Sequence, residues 1–193
     1  MKPNTNWNIP NILTVIRVIL VPFFMLTVLL PGDSNTWRVI AAAFFMLISF
    51  TDMLDGKIAR KYNLVTDFGK FLDPLADKFL VLGALLALLK KYSAELGDLL
   101  VWVTLVVILR ELAVTSLRLV AVNKSGKVIA ASIWGKLKTV SQMVAITCVF
   151  LEPVIVTPYL HTPDYLISII GLVFMMVTTI FSGVDYFVKF LKP

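Results

Sequence analysis

Four aspartates, Asp52, Asp55, Asp73 and Asp77, lie in the stretch TDMLDGKIARKYNLVTDFGKFLDPLADK, residues 51 to 78, with apolar runs of helix length on both sides. A carboxylate at membrane depth is costly unless something compensates it. Four together call for a cation, a proton or a basic substrate. Asp52 and Asp55 stand one helical turn apart, and Gly56, Ala59 and Arg60 continue the same face. Asp73 and Asp77 stand one turn apart on the next apolar segment. Two antiparallel helices joined by a short loop can aim all four carboxylates into one cleft. Anionic oxygen ligands with no His or Cys beside them suit hard cations such as Mg2+ or Mn2+. A pair of such ions stabilises the attacking and leaving oxygens of phosphoryl transfer and offsets phosphate charge.

The residues between the acids narrow this chemistry. Gly56 and Ala59 leave a helix surface bare, so a flat or bulky ligand can lie against the backbone, and Gly69 does the same before the second pair. Arg60 is placed to pair with phosphate. A structural salt-bridge network to Lys57, Arg60, Lys70 and Lys78 would not need glycine and alanine at the interleaved positions. A cation transporter would place its carboxylates near the bilayer midplane on broken helices, whereas these lie near one face.

The elements that must hold these residues follow from composition. The chain has 193 residues, 59% of them hydrophobic, with a mean hydropathy of +0.89; ordinary soluble domains run about 45–50% apolar. An all-α integral membrane protein is expected, a single domain over residues 1–193. Runs of about 20 apolar residues give six transmembrane helices in one bundle with a cytoplasm-facing polar cleft. Their bounds are Ile9–Leu30, Trp37–Arg60, Asp73–Lys91, Leu99–Val122, Ile133–Leu151 and Tyr165–Leu191. The links, including Lys61–Leu72 and a long Glu152–Asp164 loop, contain turn formers or charge. The first apolar segment is too long for a signal-peptide core and lacks a small-residue cleavage site, so it is expected to be retained.

Lys and Arg set the orientation. With the N-terminus in the cytoplasm, that side holds Lys2, Arg60, Lys61, Lys70, Lys124, Lys127, Lys136, Lys138, Lys189 and Lys192, against Arg38, Lys90 and Lys91 outside. The aspartates then fall at the cytoplasmic face of a multi-pass plasma-membrane protein. The net charge of +6 is explained by this topology and by an anionic substrate, without nucleic acid. The single cysteine, Cys148, excludes a disulfide framework. His161 stands alone in the external loop, Asp185 is spaced to pair with Lys189, and Trp7, Trp37 and Trp102 suit interfacial anchoring.

The series Asp52-x2-Asp55-Gly56-x2-Ala59-Arg60-x8-Gly69-x3-Asp73-x3-Asp77 resembles the complete signature of the CDP-alcohol phosphotransferases, with no position missing. The resemblance implies a six-helix membrane enzyme, usually a homodimer, that displaces CMP from a CDP-linked alcohol with a second alcohol. It implies two divalent ions, Mg2+ or Mn2+, held by Asp52, Asp55, Asp73 and Asp77, with Asp77 also the general base. It assigns Gly56, Ala59, Arg60 and Gly69 to the CDP-lipid, together with Thr66 and, near the N-terminus, Asn11 and Thr14. On the residues alone, Pro10-Asn11-Ile12-Leu13-Thr14 reads equally as a helix entry.

Later basic residues bear on the acceptor. Arg110, Glu111 and Arg118 fall within about a third of the circumference of the fourth helix. A structural Arg110–Glu111 pair leaves Arg118 unexplained, whereas two guanidiniums turned to the bundle interior form a phosphate clamp. Lys136 and Lys138 open the fifth helix on different faces; Lys136 is expected in the cleft and Lys138 to snorkel to lipid headgroups. A basic pocket favours a phosphorylated acceptor over cationic choline or ethanolamine. The resemblance then implies CDP-diacylglycerol as donor and glycerol 3-phosphate as acceptor. Inositol phosphate, serine and phosphatidylglycerol stay open as other acceptors, and an acid-lined cation transporter as the reading from another class.

Overall fold

A computed structural model describes the backbone of residues 9–30, 32, 34–61, 67–125, 133–160 and 163–191; within these, the side chains of residues 9, 10, 52–61, 67–71, 73, 74, 77, 119, 121–125 and 160 lie outside the description. The described residues are helical, without strands: α1 (Ile9–Leu29), α2 (Asn35–Lys61), α3 (Asp67–Lys91), α4 (Gly97–Ser125), α5 (Ile133–Leu151), a π-helical turn (Glu152–Val156), α6 (Thr157–Leu160) and α7 (Leu166–Leu191). Among them, the segments Asn11–Leu29, Gly97–Arg118, Ile133–Tyr159 and Leu166–Leu191 are long and apolar enough to cross a membrane, and Asn35–Thr51 is a shorter apolar helix. The chain divides into two compact units, Met1–Lys91 and Tyr92–Pro193.

In the first unit α1 packs along both α2 and α3. The inner face of α1 is one stripe at helical spacing, polar at its start (Asn11, Thr14, Arg17) and apolar beyond (Val21, Phe24, Val28). Between lipid-embedded helices there is little hydrophobic drive to associate, so close packing and polar contacts hold the unit together. The Phe24 ring is fully buried, its centroid 5.7 Å from that of Phe45 and 6.3 Å from that of Phe44. Gly83 on α3 makes the close approach to α1 possible: a Cβ there would stand 2.8 Å from Val21 Cγ1 and 3.3 Å from Met25 Sδ.

In the second unit α7 packs against both α4 and α5. Its inner stripe alternates small polar and apolar groups, Ser168, Leu172, Met175, Thr178, Thr179, Ser182 and Tyr186. The hydroxyls of Thr178 and Thr179 are bonded back to the carbonyl of Met175, and Ser141 and Thr178 join α5 to α7 at 2.8 Å. The outer face of α7 is apolar and exposed, with Ile170, Phe174, Phe181 and Val184 all at least half in the open.

Two expectations about boundaries are corrected. The third helix begins at Asp67, not Asp73, and continues through Pro74. A proline within a helix removes one hydrogen bond, which this helix tolerates, and an acid at the first helical position suits the positive end of the helix dipole. The expected Glu152–Asp164 loop is helical as far as Leu160. Pro153 cannot donate to the preceding turn, and the wider π turn absorbs that missing bond. Glu152 is 1% exposed because its carboxylate caps α7. Oε1 accepts from Ile167 N at 2.8 Å, and Oε2 accepts from Ser168 N at 2.6 Å and Ser168 Oγ at 2.5 Å. Beside it, Tyr165 holds a left-handed backbone (φ 61°), its ring against that of Tyr92 at 5.6 Å.

Gly83→Ala is expected to lower the apparent Tm of the detergent-solubilised protein by about 3–6 °C. The loss comes despite a gain in helix propensity of about 1 kcal/mol, and Val21→Ala in the same chain should recover most of it. Unchanged melting would mean that α1 and α3 need no glycine contact. Glu152→Ala strands three donors at the start of α7, the two of Ser168 buried, and should lower Tm by about 5–10 °C, read by the same thermal scan.

Candidate active site

The aspartates stand on regular helix, at the ends of packed faces. On α2 the buried stripe Ala41, Phe45, Ile48 advances by steps of three and four residues, and the same steps reach positions 52, 55 and 59. On α3 the buried residues Ala76, Leu80, Ala84 and Leu88 define a stripe on which positions 73 and 77 also fall. The side chains of Asp52, Asp55, Arg60, Asp73 and Asp77 lie outside the described residues, as do those of Gly56, Ala59 and Gly69, and Thr66 lies outside altogether. What the structure gives is their register on α2 and α3, two helices separated in sequence by residues 62–66.

Chain length fixes their level. At about 1.5 Å per residue, Asp52 stands about 25 Å along α2 from Asn35, and Thr14 about 22 Å back along α1 from Leu29. Since only residues 30–34 join α1 to α2, Asn11, Thr14 and Arg17 belong to the same end of this unit as the aspartates. Asn11, Thr14 and Arg17 are 3%, 1% and 2% exposed, and all three are engaged within the protein. A buried arginine requires an anionic counterpart, and the four aspartates are acids at its own end of the unit. Among the described side chains no three of His, Cys, Asp or Glu gather at one point. Four carboxylates at one-turn spacings on α2 and α3 are a donor set whose chemistry suits hard cations.

In the second unit the basic residues separate. Arg110 is largely buried, its Nη1 donating to Glu111 Oε1 at 3.1 Å and its Nη2 to Ser182 Oγ at 2.7 Å. Lys138 Nζ donates to the same Glu111 oxygen. Arg118 and Lys136 are exposed. Of the two expected interior guanidiniums, that of Arg110 is packed within the second unit, whereas Arg118 is exposed. The expected snorkelling of Lys138 is corrected as well, since it is 7% exposed and ion-paired. A sequence signal for this exists. Lys138, Ser141, Gln142, Ala145 and Val149 recur at helical spacing as the packed face of α5, and small and polar residues mark helix interfaces in lipid. Lys136 shares its side with the exposed Val140 and Val144.

Between α4 and α7 runs a groove of about 310 Å3, lined by Val106, Leu109, Ala113, Ile180 and Phe187 beside Arg110. Its apolar walls suit hydrocarbon. The expected Asp185–Lys189 pair is present at 2.8 Å, and Trp37 and Trp102 are exposed. Cys148 is a free, half-buried thiol, while Trp7 and His161 lie outside the described residues.

These features are those of a helical membrane protein, and comparison with known sequences gives its class: residues 7–184 match the CDP-alcohol phosphatidyltransferase family, and the chain belongs to it. Among its relatives is a protein of Bacillus subtilis named CDP-diacylglycerol–glycerol-3-phosphate 3-phosphatidyltransferase, 39% identical over 95% of both chains. A protein of Escherichia coli K12 with the same name is 42% identical over 79% of this chain and 82% of its own. One from Haemophilus influenzae, again of that name, is 39% identical over 72% and 74%.

Proposed function

We propose that this protein transfers the phosphatidyl group of CDP-diacylglycerol to glycerol 3-phosphate, giving phosphatidylglycerol phosphate and CMP. What supports the reading is the helical register of both aspartate pairs, whose positions continue the spacing of the packed stripes of α2 and α3, in a chain whose relatives are named for this reaction. The reading takes both units as one catalytic domain, supported by a family match that runs across them. It takes six spans, with the N-terminus and the aspartates at the cytoplasmic side of the plasma membrane, supported by the Lys and Arg distribution. A homodimer is part of the reading by family resemblance.

Asp52, Asp55, Asp73 and Asp77 would hold two divalent ions, Mg2+ or Mn2+, which supply charge neutralisation at the pyrophosphate and at the leaving CMP. The bare surface at Gly56 and Ala59 admits the cytidine, with Asn11, Thr14, Arg60, Thr66 and Gly69 completing the donor pocket. Arg110, Arg118 and Lys136 take the phosphate of the acceptor. Asp77 removes the proton from the acceptor hydroxyl as that oxygen attacks the phosphorus bearing diacylglycerol. The P–O bond to CMP breaks, CMP leaves, and the lipid tails stay in the bilayer throughout.

Purified protein with CDP-diacylglycerol, Mg2+ or Mn2+ and a panel of acceptors tests this through CMP release. Release with glycerol 3-phosphate is expected; release only with inositol phosphate or serine would overturn the acceptor, and none with any acceptor would favour a cation transporter. Asp77→Asn should bind CDP-diacylglycerol yet lose about 10²-fold or more in kcat; near-normal turnover would remove Asp77 as the base. Arg118→Ala should raise the KM for glycerol 3-phosphate about tenfold while that for CDP-diacylglycerol stays put.

A further inference from the structure

One carboxylate in the second unit serves two cations. Arg110 of α4 and Lys138 of α5 both donate to Oε1 of Glu111, and the three side chains are 14%, 9% and 10% exposed. A purely structural pair would need one cation for one acid. Here a formal positive charge is left over among lipid-embedded helices, where an uncompensated charge is expensive. The donors are also in excess. A guanidinium carries five N–H groups and an ammonium three; Arg110 uses Nη1 and Nη2 on Glu111 and Ser182, and Lys138 uses Nζ on Glu111 alone. Arg110 Nε is buried without a hydrogen-bond partner among the described residues. Its aliphatic stem is set against α7, where Gly183 leaves room: a Cβ on Gly183 would stand 3.4 Å from Arg110 Cγ.

We propose that Glu111 is a positioning residue for the phosphate of the acceptor. Its carboxylate holds Arg110 and Lys138 side by side from two different helices, and Ser182 fixes Arg110 from a third. The pair so fixed carries spare donors and one unmatched positive charge, and the phosphate group of the acceptor supplies the missing anion. Lys138 is thereby assigned to the acceptor end of the site, and Glu111 acts through the two cations without touching substrate. The inference rests on the reading that the acceptor is a phosphorylated alcohol.

The test is steady-state kinetics in phosphatidylcholine vesicles carrying CDP-diacylglycerol, with Mg2+ and varied glycerol 3-phosphate, alongside thermal melting. Glu111→Gln should raise the KM for glycerol 3-phosphate about tenfold or more, with the KM for CDP-diacylglycerol within about twofold of wild type. The double variant Glu111→Gln/Lys138→Met removes one uncompensated cation, so its Tm should move back toward wild type while the raised KM does not. If Glu111 only neutralises its neighbours, the double variant recovers KM and Tm together, and the proposal is overturned. It is overturned too if Glu111→Gln leaves the KM for glycerol 3-phosphate unchanged. Should that variant fail to fold, Glu111→Asp keeps the charge and withdraws it by one methylene; it should raise the same KM, and an unchanged value sinks the idea. Wild-type protein that releases CMP with no phosphorylated acceptor removes the functional reading first and the positioning role with it, an outcome distinct from failure of the Glu111 variants alone.

Discussion

Within a bilayer, every polar group must find its partner inside the protein. Most of the architecture answers to that constraint. Hydroxyls on α7 bond back to their own helix or across to α5. Glu152 spends both oxygens on the open amides of α7. Glu111 holds Arg110 of its own helix and Lys138 of α5. Charge in this chain is therefore seldom decorative. Where a charged side chain is buried, it ties together elements that apolar packing alone would leave free to slide or rotate.

The same constraint explains how one helix can be both scaffold and site. On α1 a single face carries Val21, Phe24 and Val28 in its later half and Asn11, Thr14 and Arg17 in its first. On α2 the packed stripe from Ala41 to Ile48 runs on, without change of register, into positions 52, 55 and 59. Packing sets the rotation of each helix, and that rotation in turn aims the polar end. A substitution deep in the apolar part, at Gly83 for instance, can thus disturb residues several turns away without touching them.

Much of this was legible in the sequence, for local reasons. Apolar runs of bilayer length gave the helices, and α5 was bounded to the residue at Ile133–Leu151. The aspartate signature could be placed on helices because its spacings are themselves helical. What was not legible depended on partners distant in sequence. That Lys138 and Lys136 lie on different faces of α5 follows from their numbering, but which face is buried depends on α4 and α7. The helical course after Leu151 likewise depends on Glu152 reaching residues 167 and 168. The start of α3 at Asp67 lies ahead of the apolar run, among Asp67, Lys70 and Asp73, where hydropathy alone does not mark a helix.

The short connection between α2 and α3 has a consequence for how the protein is made. Residues 62–66 can span no more than about 20 Å, so the two helices form a hairpin whose closure costs little chain entropy. All four aspartates, and the buried polar residues of α1 at their level, belong to the first 91 residues. The residues proposed as the acidic centre are thus near one another in sequence, and contacts of that kind form early. As the chain enters the membrane, its most hazardous cargo, a cluster of carboxylates beside an apolar medium, can be gathered and neutralised while the second unit is still being synthesised.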